Sequence, residues 1–151
     1  AQVPIPAQHP TAPFTSYGIS KTAGEAYLLQ SGLSVVSLRL ANICGPRLAI
    51  GPIPTFYKRL KAGQGCFCSD TVRDFLDMED FFSLMERILA DGTTTGVFNV
   101  STGVGSSIKD VYDAVAAYLK IDAPEVPIVP PGADDVSAVV LDPTETETCF
   151  G

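Results

Sequence analysis

The sequence predicts an α/β domain built around a parallel sheet, and three observations carry that prediction. Helical and extended patterns alternate along the chain, and the run at 35–40 (VVSLRL) is apolar enough for a strand covered on both faces. Short segments rich in Gly, Pro and Ser separate these patterns.

The first fifteen residues hold Pro4, Pro6, Pro10 and Pro13, each lacking a backbone donor and biasing its predecessor away from the helical region, so an extended loop is expected. From 16 to about 30 the pattern turns helical, with Ile19, Ala23, Ala26, Tyr27 and Leu28 toward one side and Gly32 closing it. A buried strand at 35–40 follows, which makes half of a crossover unit in a parallel sheet. The segment 41–54 (ANICGPRLAIGPIP) contains Gly45, Pro46, Gly51, Pro52 and Pro54 and is expected to be a loop. It leaves the carboxyl end of a strand, where open α/β sheets bind ligands.

A helix at about 54–62, a short strand at 66–68 and a turn at Ser69-Asp70-Thr71 come next. VRDFLDM reads as another strand, 79–90 as a helix ended near Gly92, and 97–100 (VFNV) as a short strand. STGVGSS is a glycine-rich turn that offers Ser106 or Ser107 as the cap of a helix reaching Lys120. It lacks the lysine of a P-loop and is read as a tight connection rather than a phosphate cradle. Residues 124–131 are expected to be extended and 136–141 to form a strand, and a helix begins at Asp142-Pro143.

A chain of 151 residues, 46% hydrophobic and 18% charged, is long enough to bury a core without disulfide or metal support. A net charge of −7 supplies no basic stripe to neutralise phosphates, which argues against nucleic acid as a partner. No apolar run approaches the roughly 20 residues that span a bilayer, so no membrane partner and a cytoplasmic location are expected. Cys66 and Cys68 would share a face of a strand, yet no second ligand pair accompanies them, and ordinary thiols are the expected reading rather than a metal site or disulfide. His9, among prolines, reads as a solvated loop residue. Both ends look cut, one inside a proline-rich loop and the other just inside a helix, so a longer parent is expected.

Tyr17 and Lys21 carry the chemistry. Four residues apart on a helix, they stack on one face. A tyrosine titrates near pH ~10 and is a poor base at neutrality. An ammonium held close favours the phenolate, and the pair then suits removal of a hydroxyl proton while hydride leaves the same carbon. An exposed tyrosine beside a solubilising lysine would look the same in isolation, so the surroundings matter.

The run PFTSYGISKTAGEAYL, the strand VVSLRL and ANICGPR closely resemble the corresponding run of the extended short-chain dehydrogenase/reductases, the NAD-dependent epimerases and dehydratases of nucleotide sugars. Similarity continues through VRDFLDMEDF, GVFNVSTG and SIKDVYDAV. The resemblance implies the C-terminal part of a Rossmann-like parallel sheet plus a small α/β substrate-binding subdomain. Residues 1–48 would belong to the NAD-binding domain and 49–151 mainly to the substrate-binding subdomain, with about 74–100 returning to the first sheet.

It further implies that Tyr17 is the catalytic acid/base and that Lys21 holds the nicotinamide ribose while tuning Tyr17. Ala41 would meet the nicotinamide side of NAD with its backbone, Asn42 would bond the substrate's diphosphate or sugar, and Arg73 would grip a phosphate. A guanidinium fork suits that task, the alternative being an ion pair of Arg73 with Asp74, Asp77 or Glu79. Arg47 would line or cap the substrate cleft.

Two features depart from the family pattern. The glycine-rich dinucleotide turn and the serine or threonine that assists the tyrosine are not in this sequence, and both would lie upstream of it. Pro131-Gly132-Ala133-Asp134 stands where many members have an arginine for the second phosphate, leaving that contact unfilled or filled by Lys58, Arg59 or Arg47.

The expected function is NAD-dependent epimerisation, at C4, of a nucleoside-diphosphate sugar by a full-length homodimeric parent, of a type resembling enzymes of bacterial polysaccharide clusters. The alternatives are a nucleotide-sugar dehydratase, or a non-catalytic module retaining only sugar-nucleotide binding or self-association.

Overall fold

Residues 36–44 run as a nearly continuous strand that changes partners at Ala41, and this change organises the molecule. In the computed structural model, which describes residues 3–133 and 135–151, β1 (Val36–Leu40) pairs in parallel with β5 (Gly96–Val100), whereas β2 (Asn42–Cys44) pairs in parallel with β4 (Val72–Asp77). Between them the Ala41 N–H donates to the Val100 carbonyl at 2.9 Å. The expected loop at 41–54 is therefore a strand in its first part. Its prolines and glycines all fall later, after Cys44, and leave the backbone donors of 42–44 available to a ladder.

The helix preceding β1, α1 (Ser16–Leu29), is capped by Thr15, whose Oγ1 accepts from the Gly18 N–H at 3.1 Å. None of its residues is buried. The strand predicted to be buried is half-buried, because β1 has one neighbour, β5, among the described residues.

After β2 come α2 (Pro52–Lys61), β3 (Cys68–Ser69), β4 and α3 (Met78–Asp91). Helix α2 starts two residues before the predicted position, since Pro52 with its fixed φ sits well in a first turn. Strand β3 starts two residues later than the expected 66–68 and ends one later, as set by its pairing with β7 (Ile128–Val129). After β5, the glycine-rich segment contains a further strand, β6 (Gly105–Ser107), antiparallel to β4. A Cβ on Gly105 would lie 2.7 Å from Val72 Cγ1 and 2.9 Å from Val140 Cγ2, so only glycine permits this approach.

Ser107 caps α4 (Ile108–Leu119), completing with Asp110 a reciprocal capping box. Of the strand expected at 136–141, Ala138–Val139 forms the ladder with β4 as β8, and α5 (Thr144–Phe150) follows. Asp134, part of the segment that departs from the family pattern, lies outside the described residues.

Two cores result. Phe56 and Leu60 of α2 pack with Cys68, with Ile108, Val111, Tyr112, Val115 and Ala116 of α4, and with Val126. Tyr112 is fully buried there; it meets Phe56 edge-on at 5.4 Å and gives its hydroxyl proton to the Pro124 carbonyl at 3.0 Å. The second core joins Ile88 of α3, Phe98 of β5 and Phe150 of α5, with Val36 and Leu38 of β1 against them. Cys66 and Cys68 both belong to the first core, as ordinary free thiols.

Candidate active site

Tyr17 lies in the first turn of α1 and is 72% exposed. Lys21, one turn later, places its Nζ 5.4 Å from the Tyr17 ring centroid, so the spacing read from the sequence does bring the two together. Lys21 forms no ion pair among the described residues. An unpaired ammonium beside a phenol on an open helix face is a pair of donors for hydroxyl groups and a means of stabilising a phenolate.

What fixes α1 relative to the sheet is a contact the motif reading passed over. Arg39 of β1 grips Glu25 of α1 with two parallel bonds, Nε to Oε2 at 3.1 Å and Nη2 to Oε1 at 2.6 Å, while its Nη1 reaches the Ala7 carbonyl at 2.7 Å. Ser37 adds a bond to Glu25 Oε2 at 3.0 Å. The Arg39 bond above all holds the Glu25 carboxyl below the usual carboxylate range. A signal existed in the sequence: Arg39 is the one charged residue in the apolar run VVSLRL, and a charge in such a strand requires a partner.

Ala41 and Asn42 stand where the strand changes sheets. The Ala41 N–H is committed to Val100, so any ligand contact by Ala41 is made without it. The exposed Asn42 donates Nδ2 to the Asp74 carbonyl at 3.0 Å, which orients its amide against β4. Gly45, in NICGPR, packs against the start of α3, where a Cβ would lie 2.6 Å from Met78 Cβ. Arg47 follows with φ of 69°, an uncommon conformation for a residue with a side chain, and is exposed with no side-chain hydrogen bond among the described residues.

Arg73 is paired, but with none of the three carboxylates expected. Its Nη2 bonds Asp135 Oδ1 and its Nη1 donates to the Val72 carbonyl at 2.8 Å. Asp74 faces the other way and is 1% exposed; its carboxylate accepts from Thr102 N–H at 3.1 Å, Thr102 Oγ1 at 2.7 Å and Gly103 N–H at 3.0 Å. Alternation along β4 sends Asp74 into this clasp and leaves Arg73 on the opposite face.

A cleft of about 250 Å³ lies between α2 and the segment leading into β3. Its walls include Pro52, Phe67 and Ile108, and its one charged lining residue is Arg59. Of the three cations offered for the second phosphate, Arg59 lines this cleft, whereas Lys58 and Arg47 do not.

The profile described as the NAD dependent epimerase/dehydratase family matches residues 2–101. The Bordetella bronchiseptica enzyme WbmG, solved in complex with NAD and also with NAD and UDP, is 70% identical with a TM-score of 0.94 over the whole chain, which covers 48% of it. WbmH of the same organism, solved with NAD+, is 40% identical with a TM-score of 0.87 over 97% of this chain and 49% of its own. The UDP-glucose 4-epimerase of Mycolicibacterium smegmatis is 31% identical across 94% of the chain. The chain spans 41% of one curated relative, a UDP-arabinose 4-epimerase of Arabidopsis thaliana, and 49% of the M. smegmatis enzyme. With two thirds of the sequence inside the family profile and the fold matched end to end, the chain belongs to the NAD dependent epimerase/dehydratase family.

Proposed function

We propose that the full-length protein carrying this segment epimerises a nucleoside-diphosphate sugar at C4, through transient oxidation to a keto-sugar, and that these residues supply the acid/base and substrate-holding half of the site. The observation that carries the reading is the Lys21 ammonium set beside the Tyr17 phenol on an open helix face. Tyr17 takes the proton of the sugar hydroxyl and returns it after the sugar has turned its other face. Lys21 favours the phenolate that accepts the proton in the first step and is restored when the proton is given back.

The donor set fits NAD: a phenol hydroxyl and an ammonium with no carboxylate partner among the described residues suit the hydroxyls of a ribose. Tyr17, Lys21 and Ala41 are the residues that would hold the cofactor's nicotinamide end. When bound, NAD supplies the acceptor for the hydride. Asn42, oriented by its bond to β4, keeps its Oδ1 and a second N–H for the sugar or diphosphate.

Arg73 takes a phosphate in exchange for Asp135, whose side chain is the more exposed of the two. The cleft by α2 takes the base between apolar walls, and Arg47 borders the sugar side. In this reading residues 1–48 belong with the cofactor-binding layer and 49–151 mainly form the substrate lobe; the pairing of β5 with β1 supports a return of about 74–100 to the first layer.

A cytoplasmic homodimer is the assembly expected. No helix among the described residues is long and apolar enough to cross a membrane, and Ile19, Tyr27, Leu28 and Leu33 expose apolar surface on and after α1 that supports a covered face there. Replacing Tyr17 by Phe in the full-length protein tests the assignment: turnover is lost while cofactor content is retained, and unchanged turnover would refute it.

A further inference from the structure

We propose that Arg59 reads the base of the nucleotide, favouring a pyrimidine edge that presents a carbonyl oxygen over one that presents an amino group; this rests on the reading of the chain as part of a nucleotide-sugar enzyme. Helix α2 forms one wall of the cleft. Pro52, Thr55, Phe56 and Arg59 recur at the spacing that lines one helical face, and all four border the cleft. Opposite them stand Phe67, 62% exposed, and Ser69.

At about 250 Å³ the cleft falls just under the roughly 300–1,000 Å³ of sites that enclose whole small ligands, so it accommodates one part of a nucleotide. An aromatic face and apolar walls suit the flat part.

The helix start gives an anion little. Pro52 and Pro54 have no backbone N–H, and the Thr55 N–H is spent on the Gly51 carbonyl at 3.3 Å. The charged phosphates are thus better served by Arg73 on β4, and Arg59 is left with the base.

Arg59 is also held in place. Its Nε donates to the Gly65 carbonyl at 2.7 Å, which ties the guanidinium to the segment carrying Cys66 and Phe67. It makes no ion pair among the described residues, so both terminal nitrogens are available. A guanidinium only donates. Facing a base edge, it is satisfied by the O4 of uracil and opposed by the amino group that cytosine carries at the same position.

The test measures UDP and CDP binding to the full-length protein and to its Arg59→Gln and Arg73→Gln variants by calorimetry. The unaltered protein is expected to bind UDP at least about tenfold more tightly than CDP, within the range one well-placed base contact provides. Arg59→Gln, whose amide can donate or accept, brings the two affinities together, mainly by weakening UDP; Arg73→Gln weakens both and keeps their ratio. Equal weakening of UDP and CDP by Arg59→Gln, or no change in either, would overturn the role of Arg59 while leaving the nucleotide-sugar reading intact. Failure of the unaltered protein to bind either nucleotide would overturn that reading and this inference with it.

Discussion

Arg39 and Glu25 form a two-bonded fork between β1 and α1, with distances of 3.1 and 2.6 Å, and through it the helix that carries Tyr17 and Lys21 is fastened to the sheet. Glu25→Gln retains shape but removes the charge, and should lower stability by about 1.5–3 kcal/mol, the worth of hydrogen bonds to charged groups. The effect also has a pH signature. Because Arg39 holds the folded-state pKa of Glu25 below its unfolded value near ~4.3, the contribution is full above that value and disappears as pH falls through the lower, folded one. Urea unfolding followed across the acid range should show a shallower loss of stability in the variant than in the unaltered protein.

Gly45 is required by proximity, not by its backbone angles. Gly45→Ala brings a methyl to within 2.6 Å of Met78 Cβ and must push the strand-to-loop junction away from α3. A loss of about 1–3 kcal/mol in a urea melt is the expected cost of such overpacking.

Asp135 occupies Arg73, the guanidinium proposed to take a phosphate. Asp135→Asn should strengthen nucleoside-diphosphate binding to the full-length protein up to about fivefold, the equivalent of the roughly 1 kcal/mol that an exposed ion pair is worth. Calorimetry with UDP checks it; weaker binding would mean that Asp135 positions Arg73 instead of occupying it.

Three of the four free cysteines, Cys44, Cys68 and Cys149, should separate by reactivity. Burial raises the pKa of Cys44, with Asp77 adding to it, and burial likewise raises that of Cys68, which has no exposed surface; Cys149 is exposed. Timed alkylation with iodoacetamide at pH 8, read by peptide mass spectrometry, should label Cys149 before Cys44 and Cys68 last.

Much of this was legible in the sequence where local pattern and long-range partners agree. Helix α4 has a serine cap, an acidic residue three places later and an apolar face, and it forms where the sequence places it. The Tyr17–Lys21 pair is legible because four residues on a helix fix their proximity. Asn42–Cys44 was hidden, since three residues become a strand only through β4, some thirty residues away. The same holds for Gly105–Ser107, where the glycines signal a turn and the ladder with β4 decides otherwise. Partner choice was the other gap. Nothing near Arg73 in sequence points to Asp135, which the pairing of β4 with β8 brings alongside. The Arg59 cleft needs α2 and the lead into β3 folded together before it exists at all.

The most direct measurement incubates the full-length protein with a UDP-hexose in deuterated water and follows the sugar by proton NMR. Epimerisation at C4 with hydride returned to the same carbon predicts appearance of the C4 epimer with its C4 proton retained. Formation of a 4-keto-6-deoxy sugar, or C4 epimers carrying solvent deuterium at C4, would contradict it.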